Sequence, residues 1–480
     1  MAHKFHIRRT FPAPARDFAA CALLLLFALV RIGHAAEDGA AKYVFLFIGD
    51  GMGAAQRNAA ELYLAGMREA NGDDAPRDAQ LVMNNLPVSG TIRTNSLSGV
   101  TDSAAAGTAL TTGHKTVNGA LAMHPDTGER YESIAKIAKA RGKRVGIVST
   151  AFIQDATPAA FYAQATKRTQ HYAIGKQLAA SGFDYFAGGG FRNPTDRDKS
   201  KKHLLEVAAE AGYRVVRDAA GFRALPPGDG RKTLVVHPDL VGADVPFAVD
   251  GAKSGIALAD LVAKGIELLD GEGGFFMMVE GARIDVACHA NDAAAAIRET
   301  LAFDEAIAVA VAFCEARPEE TLIVVTSDHE TGGMRIAAKP EERTRFYRLL
   351  SAQKGSYAKF ERTVAPQKNA GFDDFLKRAR AYFGPDLPDT PAVRQAFAQS
   401  MTPKKERPTK DKDYKKRYGP YDPVTMACIR ETNRLAGVTW TTFYHTGSDI
   451  PVSALGAGAE TFAGLYENTE IPAKILRAMR

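Results

Sequence analysis

The chain has 480 residues, 46% apolar and 24% charged, a globular balance with length enough for one large core. Its 43 Gly and 23 Pro exclude collagen-like and Pro-rich architectures. The formal charge of +6 would suit a polyanion binder, but most of that excess lies in the first 35 residues, so nucleic-acid-specific binding is not expected.

That opening segment carries Lys4, Arg8, Arg9, Arg16 and Arg31 against Asp17, around an apolar run at 19–30, with Gly33 and Ala35 behind it. The pattern predicts a signal peptide over residues 1–35 and a periplasmic or secreted protein. Arg8-Arg9-Thr10-Phe11 is a weak twin-arginine signature, with Pro12 where an apolar residue is preferred. The run is short for a bilayer, so no stable membrane anchor is expected, and a buried helix or membrane anchor is the competing reading. Cys288, Cys314 and Cys428 remain after cleavage and allow at most one internal disulfide. Three buried thiols are at least as good a reading.

Along the chain, apolar runs at 43–48, 144–149, 183–187, 233–236, 275–279 and 322–326 read as buried strands. Helix-like stretches lie at 133–140, 173–181, 201–211, 256–269 and 290–315. The alternation predicts an α/β fold with a mostly parallel central sheet and helices on both faces. From 339 to 438 strand-like runs are missing, and helix-like stretches at 372–382 and 392–400 alternate with charged runs at 341–348 and 404–417. The expected organisation is a core over 36–338, an inserted subdomain over 339–438 and the rest of the core over 439–480. The run 404–417 reads as a solvated loop.

Ligands of open α/β sheets gather at the carboxyl ends of the strands. Asp50 follows the first run inside Gly49-Asp50-Gly51-Met52-Gly53, and Asp155 and Thr157 follow the run ending at 149. Glu280, Asp285 and His289 follow the run ending at 279, and Asp328 and His329 the run ending at 326. Carboxylates mixed with imidazoles suit zinc, whereas carboxylate and hydroxyl oxygens suit magnesium. Ser103 precedes an Ala-rich helix-like stretch, where backbone N–H groups favour anions. No Gly-x-Ser-x-Gly elbow surrounds it, which argues against a Ser-His-Asp hydrolase. Singly, each of these residues is as readily a cap or a turn as a ligand.

The segments Ile48-Gly49-Asp50-Gly51-Met52-Gly53, Thr101-Asp102-Ser103-Ala104-Ala105, Gln154-Asp155-Ala156-Thr157-Pro158-Ala159-Ala160, Val279-Glu280-Gly281-Ala282-Arg283-Ile284-Asp285, Thr326-Ser327-Asp328-His329 and His445-Thr446-Gly447 resemble the alkaline phosphatase family in order and spacing. The resemblance covers about 42–335 and the chain from His445 onward. It implies that Asp285, His289 and His445 hold one Zn2+. A second Zn2+ is implied on Asp50, Asp328 and His329, in reach of the nucleophile Ser103, and one Mg2+ on Thr157, Glu280 and the bridging Asp50. Arg168, eleven residues past Thr157, would grip the phosphate, with Asp102 also expected in the substrate-binding site. Expected partners are small phosphomonoesters, with a homodimer left open. The inserted region lies where the family carries its variable crown.

One position departs from the family. Lys or His follows the position of Asp285 in familiar members, and this chain has Val286, which takes a cationic neighbour away from Asp155. The reading is a secreted phosphomonoesterase working through a phosphoserine. A phosphodiesterase or mutase on the same two-metal core is the runner-up, and a non-catalytic metal or phosphate binder the alternative outside the enzymes.

Overall fold

The computed structural model describes residues 41–479 apart from 73–78, 125, 197–199 and 368–370. The signal-peptide reading over 1–35 lies outside the described residues. Fourteen strands follow in chain order: β1 Tyr43–Ile48, β2 Val88–Arg93, β3 Arg144–Ser149, β4 Tyr185–Gly188, β5 Arg214–Val216, β6 Thr233–Val236, β7 Phe275–Glu280, β8 Thr321–Thr326, β9 Glu330–Thr331, β10 Met334–Ile336, β11 Val438–Trp440, β12 His445–Thr446, β13 Ile450–Gly456 and β14 Gly464–Glu467. Ten of them form one sheet in the order β14-β2-β13-β8-β1-β7-β3-β4-β6-β5. Only β13 runs antiparallel to its neighbours, so the sheet is mostly parallel, as the alternation of runs predicts.

β1 shows why the sheet is buried on both faces. Tyr43, Phe45 and Phe47 join one apolar layer, with helices Leu258–Leu269 and Ala293–Glu315. Val44, Leu46 and Ile48 join the other, with helices Ile134–Ala140, Ala156–Tyr162 and Glu470–Ala478. A strand with no solvent face reads as a continuous apolar run. Helix Ala54–Ala70 crosses helix Arg343–Ser351 at Gly66, where a Cβ would meet the Arg343 carbonyl oxygen at 2.1 Å, so only glycine allows this approach.

Between β10 and β11 the described chain is helical, and Phe360, Phe375, Tyr382, Phe383 and Cys428 belong to a buried cluster of its own. The run 404–417 is not simply a solvated loop: it contains most of helix Lys412–Tyr418. Asp411 caps that helix by accepting from the Tyr414 N–H at 2.8 Å, and Tyr414 and Tyr418, four residues apart, are both buried. Cys288, Cys314 and Cys428 are buried free thiols. Among the described residues no helix is long and apolar enough to cross a membrane.

Candidate active site

Parallel register brings the strand ends to one rim. Ile48 of β1 stands level with Glu280 of β7 and Thr326 of β8, and Glu280 stands level with Ser149 of β3. Beyond β1 the chain turns at Gly51 with φ +73°, and the Gly51 N–H donates to Asp328 Oδ1 at 3.3 Å. A Cβ on Gly51 would lie 2.8 Å from the Asp285 Cα, so this turn sets the spacing between Asp50 and Asp285.

Asp285 and His289 lie one turn apart in helix Arg283–His289, with Asp285 Oδ2 and His289 Nε2 3.2 Å apart. His445 arrives from far along the chain because β12 pairs with β9, setting His445 opposite Thr331. Its Nε2 is 3.2 Å from His289 Nε2 and 3.8 Å from Asp285 Oδ1, and its ring stacks on His329 with centroids 3.6 Å apart. His329 Nε2 is 3.2 Å from Asp328 Oδ2, 3.5 Å from Asp50 Oδ1 and 3.4 Å from Ser103 Oγ. Asp50, Asp328 and His329 thus offer donor atoms within 4.8 Å of one another, and so do Asp285, His329 and His445. His289 stands in reach of the second group, and His329 lies between the two.

The outer nitrogens of the imidazoles fix their tautomers. His289 Nδ1 meets the Phe443 carbonyl at 2.6 Å and His445 Nδ1 the Thr101 carbonyl at 2.8 Å, and carbonyls only accept. The Thr331 hydroxyl donates to Asp285 Oδ1 at 2.5 Å and accepts from His329 Nδ1 at 3.2 Å. In the neutral rings, the form that binds a metal, all three Nε2 atoms therefore turn lone pairs into the cluster.

Lone pairs facing lone pairs need a cation between them. Asp50 Oδ1, Asp328 Oδ2 and Thr157 Oγ1 are buried without a hydrogen-bond partner among the described residues. Burial and then the neighbouring carboxylates push Asp50 well above its usual range. Burial lifts Glu280 to about 8 against the short hydrogen bond it accepts from Ser149, and burial with Asp285 lifts Asp328 to about 7. Asp285 goes the other way: burial raises it, but His289, His445 and His329 together pull it well below the carboxylate range. Burial lowers His289, yet Asp285 carries it up to about 9. Burial, then His445, depresses His329. The cluster is rich in acid and short of cations, the donor set expected for divalent metals.

Ser103 opens helix Ser103–Thr112, whose N-cap Asp102 accepts from the Ala105 N–H at 3.0 Å. Arg168 comes from the loop before helix His171–Ala180, and its guanidinium bridges Asp102 at 3.3 Å and Asp155 at 3.0 Å. Burial opposes its charge, but Asp155 and Asp102 more than offset this. Asp155 therefore has a cationic neighbour even with Val286 in the chain. Asp155 also caps helix Ala156–Tyr162, which carries Thr157. All the residues singled out from sequence come to this rim. Ser149 and Thr331 do not stand out in the sequence, although Ser149 ends a strand in register with Glu280 and Thr331 lies two residues past His329.

A parallel α/β sheet whose carboxyl rim gathers buried carboxylates, imidazoles and a serine at a helix N-terminus defines a metal-assisted hydrolase. The model of the alkaline phosphatase family matches residues 41–480, and the chain belongs to that family. Alkaline phosphatase 3 of Bacillus subtilis is 30% identical over 92% of this chain and 89% of its own length. The Escherichia coli alkaline phosphatase is 33% identical over 63% of this chain and 72% of its own. Among solved structures, the alkaline phosphatase of Thermus thermophilus superposes with a TM-score of 0.75 at 28% identity, covering 92% of this chain and 93% of that one. A cold-active alkaline phosphatase from Shewanella sp. gives 0.73 at 29% identity, covering 90% and 98%. A mutant of the alkaline phosphatase from the Antarctic bacterium TAB5, 27% identical with a TM-score of 0.61 over 92% and 98%, has magnesium bound in its M3 site. The chain is a phosphomonoester hydrolase.

Proposed function

We propose that the chain is an exported phosphomonoesterase that works through a phosphoserine on Ser103. The observation that carries this reading is the convergence of unpartnered Asp50 Oδ1, Asp328 Oδ2 and three imidazole Nε2 lone pairs beside the Ser103 hydroxyl. Asp285, His289 and His445 would hold one Zn2+, Asp50, Asp328 and His329 a second, and Asp50, Thr157 and Glu280 one Mg2+, with the Ser103 hydroxyl 3.4 Å from His329 Nε2. Bound there, these ions supply Lewis acidity, lowering the pKa of the serine hydroxyl and neutralising charge on the departing ester oxygen.

Ser103 Oγ attacks phosphorus, forming the phosphoseryl bond while the bond to the ester oxygen breaks. The alcohol leaves with a proton. Water then attacks the same phosphorus, Ser103 Oγ regains its proton, and inorganic phosphate departs. The helix N-terminus at Ser103 and the Arg168 guanidinium receive the phosphate oxygens. Asp102, occupied with the N–H groups of Ala105 and Gly119 and with Arg168, positions that arginine and does not itself meet an anionic phosphate. The region 339–438 is read as the family's variable crown, inserted between the core segments 36–338 and 439–480. Residues 1–35 are read as the signal peptide that exports the chain.

Ser103→Ala removes the nucleophile while leaving every proposed carboxylate and imidazole ligand. Turnover of p-nitrophenyl phosphate should fall by several orders of magnitude. Acid quench of the wild type with labelled substrate should trap phosphate on Ser103. Label on another residue, or nearly unchanged turnover in the variant, would refute the assignment.

A further inference from the structure

Beside the metal-ligand cluster lies a cavity of about 760 Å3, with His289 and Val286 on its lining and residues of the helical region opposite. Its volume suits a drug-sized ligand, and the transfer of phosphate to Ser103 makes no use of it. Its aromatic side is braced by inclined rings. Tyr421 and Phe443 have ring centroids 6.0 Å apart, and Tyr357 stands edge-on to Tyr421 at 5.2 Å. Tyr444 is 67% exposed, a large aromatic surface without cover at the mouth.

The polar side is cationic. The charge of Arg407 is already met by Asp422 at 3.0 Å and by the Thr402 and Ser400 carbonyls. Lys404 and Lys415 are exposed on the same lining and engage no carboxylate among the described residues. The wall is also tied to the site, because the Phe443 carbonyl orients His289 and Tyr444 directly precedes His445.

We propose that this cavity receives the alcohol half of the substrate and selects phosphomonoesters whose alcohol carries both a flat aromatic ring and a second anionic group, the chemistry of a nucleoside bisphosphate. The inference rests on the phosphomonoesterase reading above. An aromatic alcohol alone leaves the two lysines unused, and an anionic sugar leaves the aromatic wall bare. The reaction is unchanged: the ester and water give the alcohol and inorganic phosphate. Contact made by the remote half contributes where it persists in the transition state, and so appears in kcat/KM.

The test compares kcat/KM on the metal-loaded enzyme for an adenosine bisphosphate, adenosine monophosphate, a hexose bisphosphate and p-nitrophenyl phosphate. The adenosine bisphosphate should exceed the other two natural-type esters by about tenfold or more, and its lead over adenosine monophosphate should shrink as salt rises from about 0.05 to about 0.5 M. The paired substitutions Lys404→Glu and Lys415→Glu should collapse the ratio of adenosine bisphosphate to adenosine monophosphate by about tenfold. Tyr444→Ala should instead collapse the ratio of adenosine bisphosphate to hexose bisphosphate, and, lying outside the charged set, it keeps the test decisive if the lysine variant does not fold. Failure to hydrolyse p-nitrophenyl phosphate would sink the phosphomonoesterase reading itself. Hydrolysis of p-nitrophenyl phosphate with the other three esters within about threefold of one another, or a hexose bisphosphate as good as the adenosine bisphosphate, would overturn the cavity proposal alone.

Discussion

Val286 is half-buried between Asp285 and His289 on the helix that carries both, and it faces the cavity beside them. The neighbouring Arg283 does not supply the charge a lysine would bring there. Its guanidinium pairs with Asp244 at 3.3 Å and lies over the Phe247 ring at 3.8 Å. Val286→Lys would therefore add a positive charge several ångströms from bound phosphate, an attraction of about 1–2 kcal/mol per unit charge at an intermediate dielectric. The inhibition constant for inorganic phosphate should fall by roughly 5–30-fold at fixed zinc and magnesium. An unchanged constant with intact metal content rejects this electrostatic account. Most of the site at this scale was legible because Asp50, Glu280, Asp328 and His329 end or directly follow strands that read as apolar runs. Ser149 and Thr331 were not, because their roles come from strand register and from the fold-back of β9 onto β12, which no local spacing encodes.

Helix Ala293–Glu315 carries a strained charge that belongs to packing and not to phosphate chemistry. Glu299 is buried on it and accepts from the Ala248 N–H at 2.5 Å. Burial lifts its carboxyl to about 7, against that hydrogen bond and the attraction of Arg283. A carboxyl raised in the folded state contributes stability that is complete below its unfolded pKa, about 4.5, and is lost as pH rises through about 7. At pH 8 its ionisation should cost on the order of 3 kcal/mol. Glu299→Gln keeps an acceptor for Ala248 and should raise the thermal midpoint at pH 8 while changing it little at pH 4.5. Thermal unfolding at the two pH values decides this, and a variant less stable at pH 8 ends the argument. Element legibility follows the same physics of burial. β1, β7 and β8 announce themselves as unbroken apolar runs because both faces are covered. β2 mixes Ser89, Gly90, Thr91 and Arg93 with its apolar residues, and β14 is a short edge strand, so neither carries such a run. Helix Lys412–Tyr418 was hidden by its charges, since two tyrosines alone anchor it to the interior.

For the whole molecule, the rim is a concentration of buried acid that the fold brings together from sequence positions as distant as Asp50 and Asp328. Burial and mutual repulsion push Asp50, Glu280 and Asp328 upward together. In the metal-free protein Glu280 and Asp328 stay protonated near pH 5 and ionise through about 7 to 8, with Asp50 shifted in the same direction, so the stability these protonated acids contribute is lost with rising pH. Metal ions act in the opposite sense, because they bind the deprotonated ligands and hold them more tightly as pH rises. A ligand at about a thousand times its dissociation constant stabilises the folded state by about 4 kcal/mol. The purified protein should hold about two zinc and one magnesium per chain. Chelation should lower its thermal midpoint by several degrees at pH 8 and by clearly less at pH 5.5, with activity restored on adding the metals back. Elemental analysis paired with unfolding curves at both pH values tests this. Full activity in metal-free protein, or a midpoint indifferent to chelator at pH 8, would mean that the acids at the rim are balanced by protons and not by metal.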